Sequence, residues 1–261
     1  MKKTLLLALA FAGPAFAADF EAGVAKVKIT PPPLFWMSGY ASRTSPSVGV
    51  VQDLWARALA LRDPEGHRAV IVTTDLIGLH HGISDEVFAR AKKQFKLERA
   101  DVLLTSSHTH SGPVVGLNLS VMFDFTNDEQ QRVQEYAARL TDNLVGVIGA
   151  ALTDLAPARL ATGHGSVGFA ANRRQRTADK FTLGVNPTGP VDHDVPVLKV
   201  ASPDGKVRAV LFGYACHNTT IGGKGEKTAD FYKIHGDYAG HAEARQQEHL
   251  DGDQDDARPD Q

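Results

Sequence analysis

Three histidines stand where two separated stretches of the chain leave apolar runs. Leu104-Thr-Ser-Ser-His108-Thr-His110-Ser-Gly-Pro113 closes one run, and Ala209-Val-Leu-Phe-Gly-Tyr-Ala-Cys-His217 closes another. In extended backbone, residues i and i+2 face the same way, so His108 and His110 can aim at one point. Ser111-Gly-Pro113 supplies a turn that holds the pair at a strand end. Neutral imidazole binds zinc readily, and two on one short segment supply half of a site. An H-x-H pair by itself is as often a polar loop. His217, arriving at a second strand end from a distant part of the chain, favours the metal reading.

A third cluster is His235-Gly-Asp237-Tyr-Ala-Gly240. Glycines let the backbone pass close to a ligand, and Asp237 could orient an imidazole or bind metal directly. His235 and Asp237 are therefore possible additional ligands, beside a plainer reading as a turn and short helix. Arg173, in Ala171-Asn-Arg-Arg174, carries a guanidinium able to clamp a carboxylate or an oxyanion. Asp192-His-Asp194 could support a ligand from behind or be an ordinary turn. His80 and His81 are neighbours whose side chains diverge, so they are left out. The H-x-H-x-D-H pattern of metallo-β-lactamase-like enzymes is not met, since Ser-Gly-Pro follows His110. Amidohydrolase barrels carry H-x-H on their first strand, whereas several strands precede His108 here.

The elements that must position these groups are readable from periodicity. Strands are predicted over 24–29, 55–61, 68–76, 102–104, 195–200 and 207–215, from alternating or β-branched apolar runs. Ser84 looks like the N-cap of a helix with Val87, Ala91 and Phe95 on one face. A long helix is predicted from Asp128 to Leu155, with Val133, Tyr136, Leu140, Leu144, Val147 and Ala151 near a 3.6 period. Strands interleaved with helices predict a single α/β domain, a mixed sheet covered by helices.

Lys2 and Lys3, the apolar residues 5–11 and Ala15-Phe-Ala17 read as an export signal cleaved after Ala17. That run is too short to span a bilayer. A secreted or periplasmic location follows. The net charge of −2 becomes −4 without the two lysines, and no basic patch suggests nucleic acid. The single cysteine, Cys216, excludes an internal disulfide. From Ala242 to Gln261 the chain has seven Asp and Glu against one sizeable apolar residue, Leu250. This predicts a domain over 18–241 and an acidic, disordered tail over 242–261.

Taken in series, the motifs resemble a known family. Gly23-Val-Ala-Lys-Val-Lys-Ile-Thr-Pro-Pro32, Gly39-Tyr-Ala41, Leu54-Trp-Ala-Arg-Ala58, Thr74-Asp-Leu76, Ser107-His-Thr-His-Ser-Gly-Pro113, Asn172-Arg173, Asp194-Val-Pro-Val-Leu-Lys199, the run ending at His217 and Gly236-Asp-Tyr-Ala-Gly240 resemble the N-terminal domain of the neutral/alkaline, non-lysosomal ceramidases. The resemblance implies a zinc hydrolase that splits the amide of N-acylsphingosines into sphingosine and a fatty acid. It implies His108 and His217 as zinc ligands, His110 as the neighbouring active-site residue at the reacting carbonyl, and Arg173 as the substrate-contacting arginine. It also implies an N-acyl lipid or other small amide as partner and peripheral contact with a membrane surface. The family's further glutamate and tyrosine ligands would lie beyond Gln261, so the chain is expected to be cut short. Two alternatives stay open: an exported zinc hydrolase of another amide or an ester, and an inactive truncated domain.

Overall fold

The computed structural model describes residues 20–220 and 230–255; the expected export signal lies outside the described residues. Seven strands form one mixed sheet in the order β10-β9-β6-β1-β3-β4-β5. β1 (Phe20–Lys28) pairs antiparallel with β3 (Trp55–Arg62), and β3 with β4 (Arg68–Thr74). The two-residue β2 (Gly49–Val50) lies in the connection between β1 and β3. β5 (Val102–Ser106) runs parallel to β4, and α1 (His81–Phe95) makes the crossover between them. β6 (Ala156–Ser166) joins β1 to the far edge of the sheet. A short hairpin of β7 (Arg174–Arg176) and β8 (Phe181–Leu183) follows, then the antiparallel pair β9 (Asp194–Ala201) and β10 (Val207–Phe212). β11 (Lys233–Ile234) pairs with β2.

The main core lies on one face of the sheet. Ala56, Ala58 and Ala60 of β3 alternate toward it with Val70 and Val72 of β4, against Val87 of α1 and the buried stripe of α2 (Asn127–Thr153). The small alanines let α2 come close. α2 begins one residue before the position expected for it, because Thr126 and Glu129 form a reciprocal capping box. α1 begins at His81, three residues before the Ser84 expected to cap it. His80 is the cap, its Nδ1 accepting from Gly82 N at 3.1 Å.

Two expectations fail at strand and helix ends. β10 stops at Phe212, five residues short of His217, since the next position faces Pro196 of β9, which has no N–H to continue the ladder. The acidic segment over 242–261 expected to be a disordered tail is helical through Asp255, and its remainder, 256–261, lies outside the described residues. α3 (Asp237–Asp255) is anchored to the sheet by Glu243 on Arg57 and Gln247 on Lys26, and to the loop before β3 by Gln52 on the carbonyl of Gly240. These tertiary contacts supply what local apolar content lacks. Among the described residues, no helix is long and apolar enough to cross a membrane.

Candidate metal centre

The carboxyl ends of β4 and β5 hold the first two histidines. Past their last paired residues, Thr74 and Ser106, the strands stay tied by Ser107 N to Thr74 O and by His108 N to Leu76 O, both 2.9 Å. His108 itself is not extended. Its φ of 61° puts it in the left-handed region, so a turn and not strand alternation brings the two rings together. Buried Thr109 holds that turn: its Oγ1 donates to His235 O at 3.0 Å and accepts from Ser111 N at 3.1 Å.

His217 arrives on the segment after β10. Buried Asn218 fixes it, donating Nδ2 to Gly236 O at 3.0 Å. One ligand atom from each of His108, His110 and His217 then falls within 4.8 Å of the other two. The Nε2 of His110 lies 2.8 Å from that of His217 and 3.3 Å from that of His108.

Tautomers follow from the acceptors. His108 Nδ1 faces Ile77 O at 2.7 Å and His110 Nδ1 faces Gly39 O at 3.0 Å. A carbonyl oxygen only accepts, so both Nδ1 atoms carry the proton and both Nε2 atoms present lone pairs to each other. Lone pairs facing across 3.3 Å repel unless a cation lies between them, and imidazole nitrogen with its far N–H on a carbonyl is how protein zinc and copper sites are commonly built. The donor set fits a divalent ion. Burial, followed by the neighbouring His217 and His108, pulls His110 down to about 4 and keeps it neutral at pH 7. Burial and then Arg173 lower His217 as well.

Arg173 lies beside this cluster, lining with His217, Phe169, Cys216 and Pro190 a cleft of about 390 Å³. Its segment is held by Asn172, whose Nδ2 donates to Pro190 O and whose Oδ1 accepts from Arg174 N. His235 and Asp237 do not join the histidines. Both are buried behind the site, with His235 Nδ1 accepting from Asp237 N and Asp237 Oδ1 accepting from the backbone N–H and hydroxyl of Thr220. They hold the backbone under Thr109 and Thr220, a supporting role. The second ring that the sequence reading set aside as a ligand, His81, starts α1 next to the His80 cap. Sequence reasoning missed Arg43 and Tyr40, which pack against His110 from behind. The Gly39-Tyr-Ala41 motif carried Tyr40, and no motif marked Arg43.

Known proteins share this fold. Residues 20–260 match the family described as neutral/alkaline non-lysosomal ceramidase, N-terminal. The chain belongs to this family. The neutral ceramidase of Pseudomonas aeruginosa is 28% identical over 222 residues, covering 83% of this chain and 33% of that protein. Neutral ceramidase A of Dictyostelium discoideum is 25% identical over 226 residues, covering 83% of this chain and 30% of the relative. Among solved structures, a ceramidase complexed with C2 superposes with a TM-score of 0.67 at 25% identity, covering 86% of this chain and 34% of that one. The crystal structure of the P. aeruginosa neutral ceramidase gives 0.66 at 24% identity, covering 86% and 35%. The chain thus spans about a third of the length of these ceramidases. The match to residue 260 also runs past the boundary expected at Ala242.

Proposed function

We propose that this chain carries the histidine side of a zinc centre that hydrolyses the amide of an N-acylsphingosine or a related N-acyl lipid. The observation that carries the reading is the convergence of three Nε2 atoms with the Nδ1 atoms of His108 and His110 committed to carbonyls. His108 and His217 would hold the ion. Zinc is the fitting choice for a pair of neutral imidazoles, and when bound it supplies Lewis acidity, polarising a carbonyl oxygen and making water more acidic. The substrate class follows from family membership and from the relatives named neutral ceramidase.

The chain's own groups divide the remaining work. His110 is neutral at pH 7 and its Nε2 lone pair faces the site. It takes a proton from the water that attacks the amide carbon, then gives it to the amine nitrogen as the C–N bond breaks. The products are a free amine and a fatty acid. Arg173, in the cleft beside His217, binds the polar part of the substrate. The exposed apolar Phe169 and Val191 of the same cleft border the acyl portion, and the molecule meets its lipid at a membrane surface. Residues 1–17 serve as a signal for export to the periplasm or beyond. N-terminal sequencing of exported protein should then start at Ala18.

The test uses the purified chain with zinc, assayed against N-acylsphingosine, a short N-acyl amide and a simple ester. Hydrolysis of the first, lost in His110→Ala, supports the reading. Preference for the ester or the short amide moves the chain to a different substrate. Binding of zinc with no turnover of any of the three leaves the chain without a hydrolytic function of its own and overturns the proposal.

A further inference from the structure

Arg43 is a buried cation with no acid beside it. It is 5% exposed, and among the described residues no carboxylate pairs with it. Burial draws its guanidinium down to about 10, so it keeps its charge at neutral pH. Removing such a charge from water costs several kcal/mol, which this fold offsets with carbonyl oxygens instead of an ion pair. Nη1 donates to Ser38 O at 2.8 Å and to His110 O at 2.7 Å, and Nε donates to Phe231 O at 2.9 Å. The rings of Tyr40 and Phe231 lie against it, 4.9 and 4.8 Å from Cζ.

These acceptors come from three segments that meet around His110. Ser38 precedes Gly39, whose carbonyl accepts from the His110 Nδ1–H. Phe231 leads into β11 and His235, which support Thr109. Gly39 leaves no slack between backbone and ring, because a Cβ there would lie 2.5 Å from His110 Cγ. Tyr40, in contact with Arg43, also lies against the His110 ring at 5.1 Å. One nitrogen thus ties the residue before the carbonyl that selects the His110 tautomer to the backbone that carries the ring, beside the bond from Ser38 N to Gly112 O at 2.9 Å.

We propose that Arg43 is a positioning residue of the centre: through the carbonyls of Ser38 and His110 it fixes the His110 ring with Nδ1 protonated and Nε2 aimed at His108 and His217. This rests on the function proposed above for its consequence in metal binding, but not for the tautomer itself. The planar fork is required. A lysine ammonium in the same cavity cannot span the three carbonyls with one rigid group.

The experiment compares the chain with Arg43→Lys and Arg43→Met, using Arg68→Lys as control, since Arg68 donates to Phe95 O at 2.8 Å far from the site. Circular dichroism reports folding, imidazole ¹⁵N shifts of the metal-free chain at pH 8 report the tautomer, and competition with a chromogenic chelator reports zinc affinity. In the unaltered chain His110 should be the Nδ1–H form. In both Arg43 variants it should become a mixture, and zinc affinity should fall, about tenfold for Lys and about 100-fold for Met, since an Nε2–H on His110 would point at the ion held by His108 and His217. The control should move neither. A different tautomer in the unaltered chain overturns the proposal without any variant. So does an unchanged tautomer in a folded Arg43→Lys. If neither Arg43 variant folds, Arg43 holds the fold and the positioning role falls. If the unaltered chain binds no zinc, the hydrolase reading fails while the tautomer still decides the role of Arg43.

Discussion

Glu243 Oε2 of α3 stands 2.5 Å from Nη1 of Arg57 in β3, and Asp75 Oδ2 stands 3.4 Å from the same guanidinium nitrogen. Asp75 is 2% exposed and also accepts from Trp55 N at 2.8 Å. Two carboxylates therefore share one cation on the face of the sheet that α3 covers. Burial, and after it the charge of Asp75, push Glu243 up to about 8, while burial raises Asp75 as well.

The sign of the pH dependence follows. Glu243 holds its proton more tightly folded than unfolded, where its value is 4.5. Its contribution is fully present below about pH 4.5 and is lost as pH rises through about 8. Stability should fall on the order of 4 kcal/mol between pH 5 and pH 9 from this pair. Glu243→Gln, which cannot ionise, should flatten that fall. Urea melts of the two proteins with parallel pH profiles would falsify the assignment.

His217→Ala should weaken zinc binding on the order of 100-fold while leaving the helix content intact, because His217 is exposed and adds only a ligand. His67→Ala is the matched control. It is exposed and lies with half-buried Asp63 and exposed Glu65 at the β3–β4 turn. Equal losses in the two variants would place zinc away from the three converging imidazoles.

Gly39→Ala should damage the site more than the fold. Gly39 has φ 101°, and an added Cβ would press on the His110 ring. A melting shift of a few degrees with zinc affinity reduced at least tenfold is expected. A variant that melts earlier but binds zinc normally would count against the close approach of Gly39 and His110.

Tyr136→Phe tests how α2 is held to the sheet. The buried Tyr136 hydroxyl donates to Ile29 O at 2.7 Å. Its loss leaves that carbonyl without this donor, at a cost of about 1–2 kcal/mol by urea titration. No change in the denaturation midpoint would mean the carbonyl finds another donor.

Local pattern alone determined much of this protein. The β-branched run of β4, the 3.6 period of α2 and the H-T-H-S-G-P element are each decided by near neighbours, and read in series they pointed to the ceramidase family. What only the tertiary structure decided depends on partners far apart in sequence. β10 ends at Phe212 because it faces Pro196, and His108 turns left-handed between carbonyls supplied by β4 and its exit. The acidic segment after Ala242 is helical because Glu243 finds Arg57, a residue 186 positions away. Arg43 looks like any loop arginine until three remote carbonyls close around it. Hydrophobic period encodes which face is buried, but a polar group's partner is set by the folded chain, and that is where the site is made.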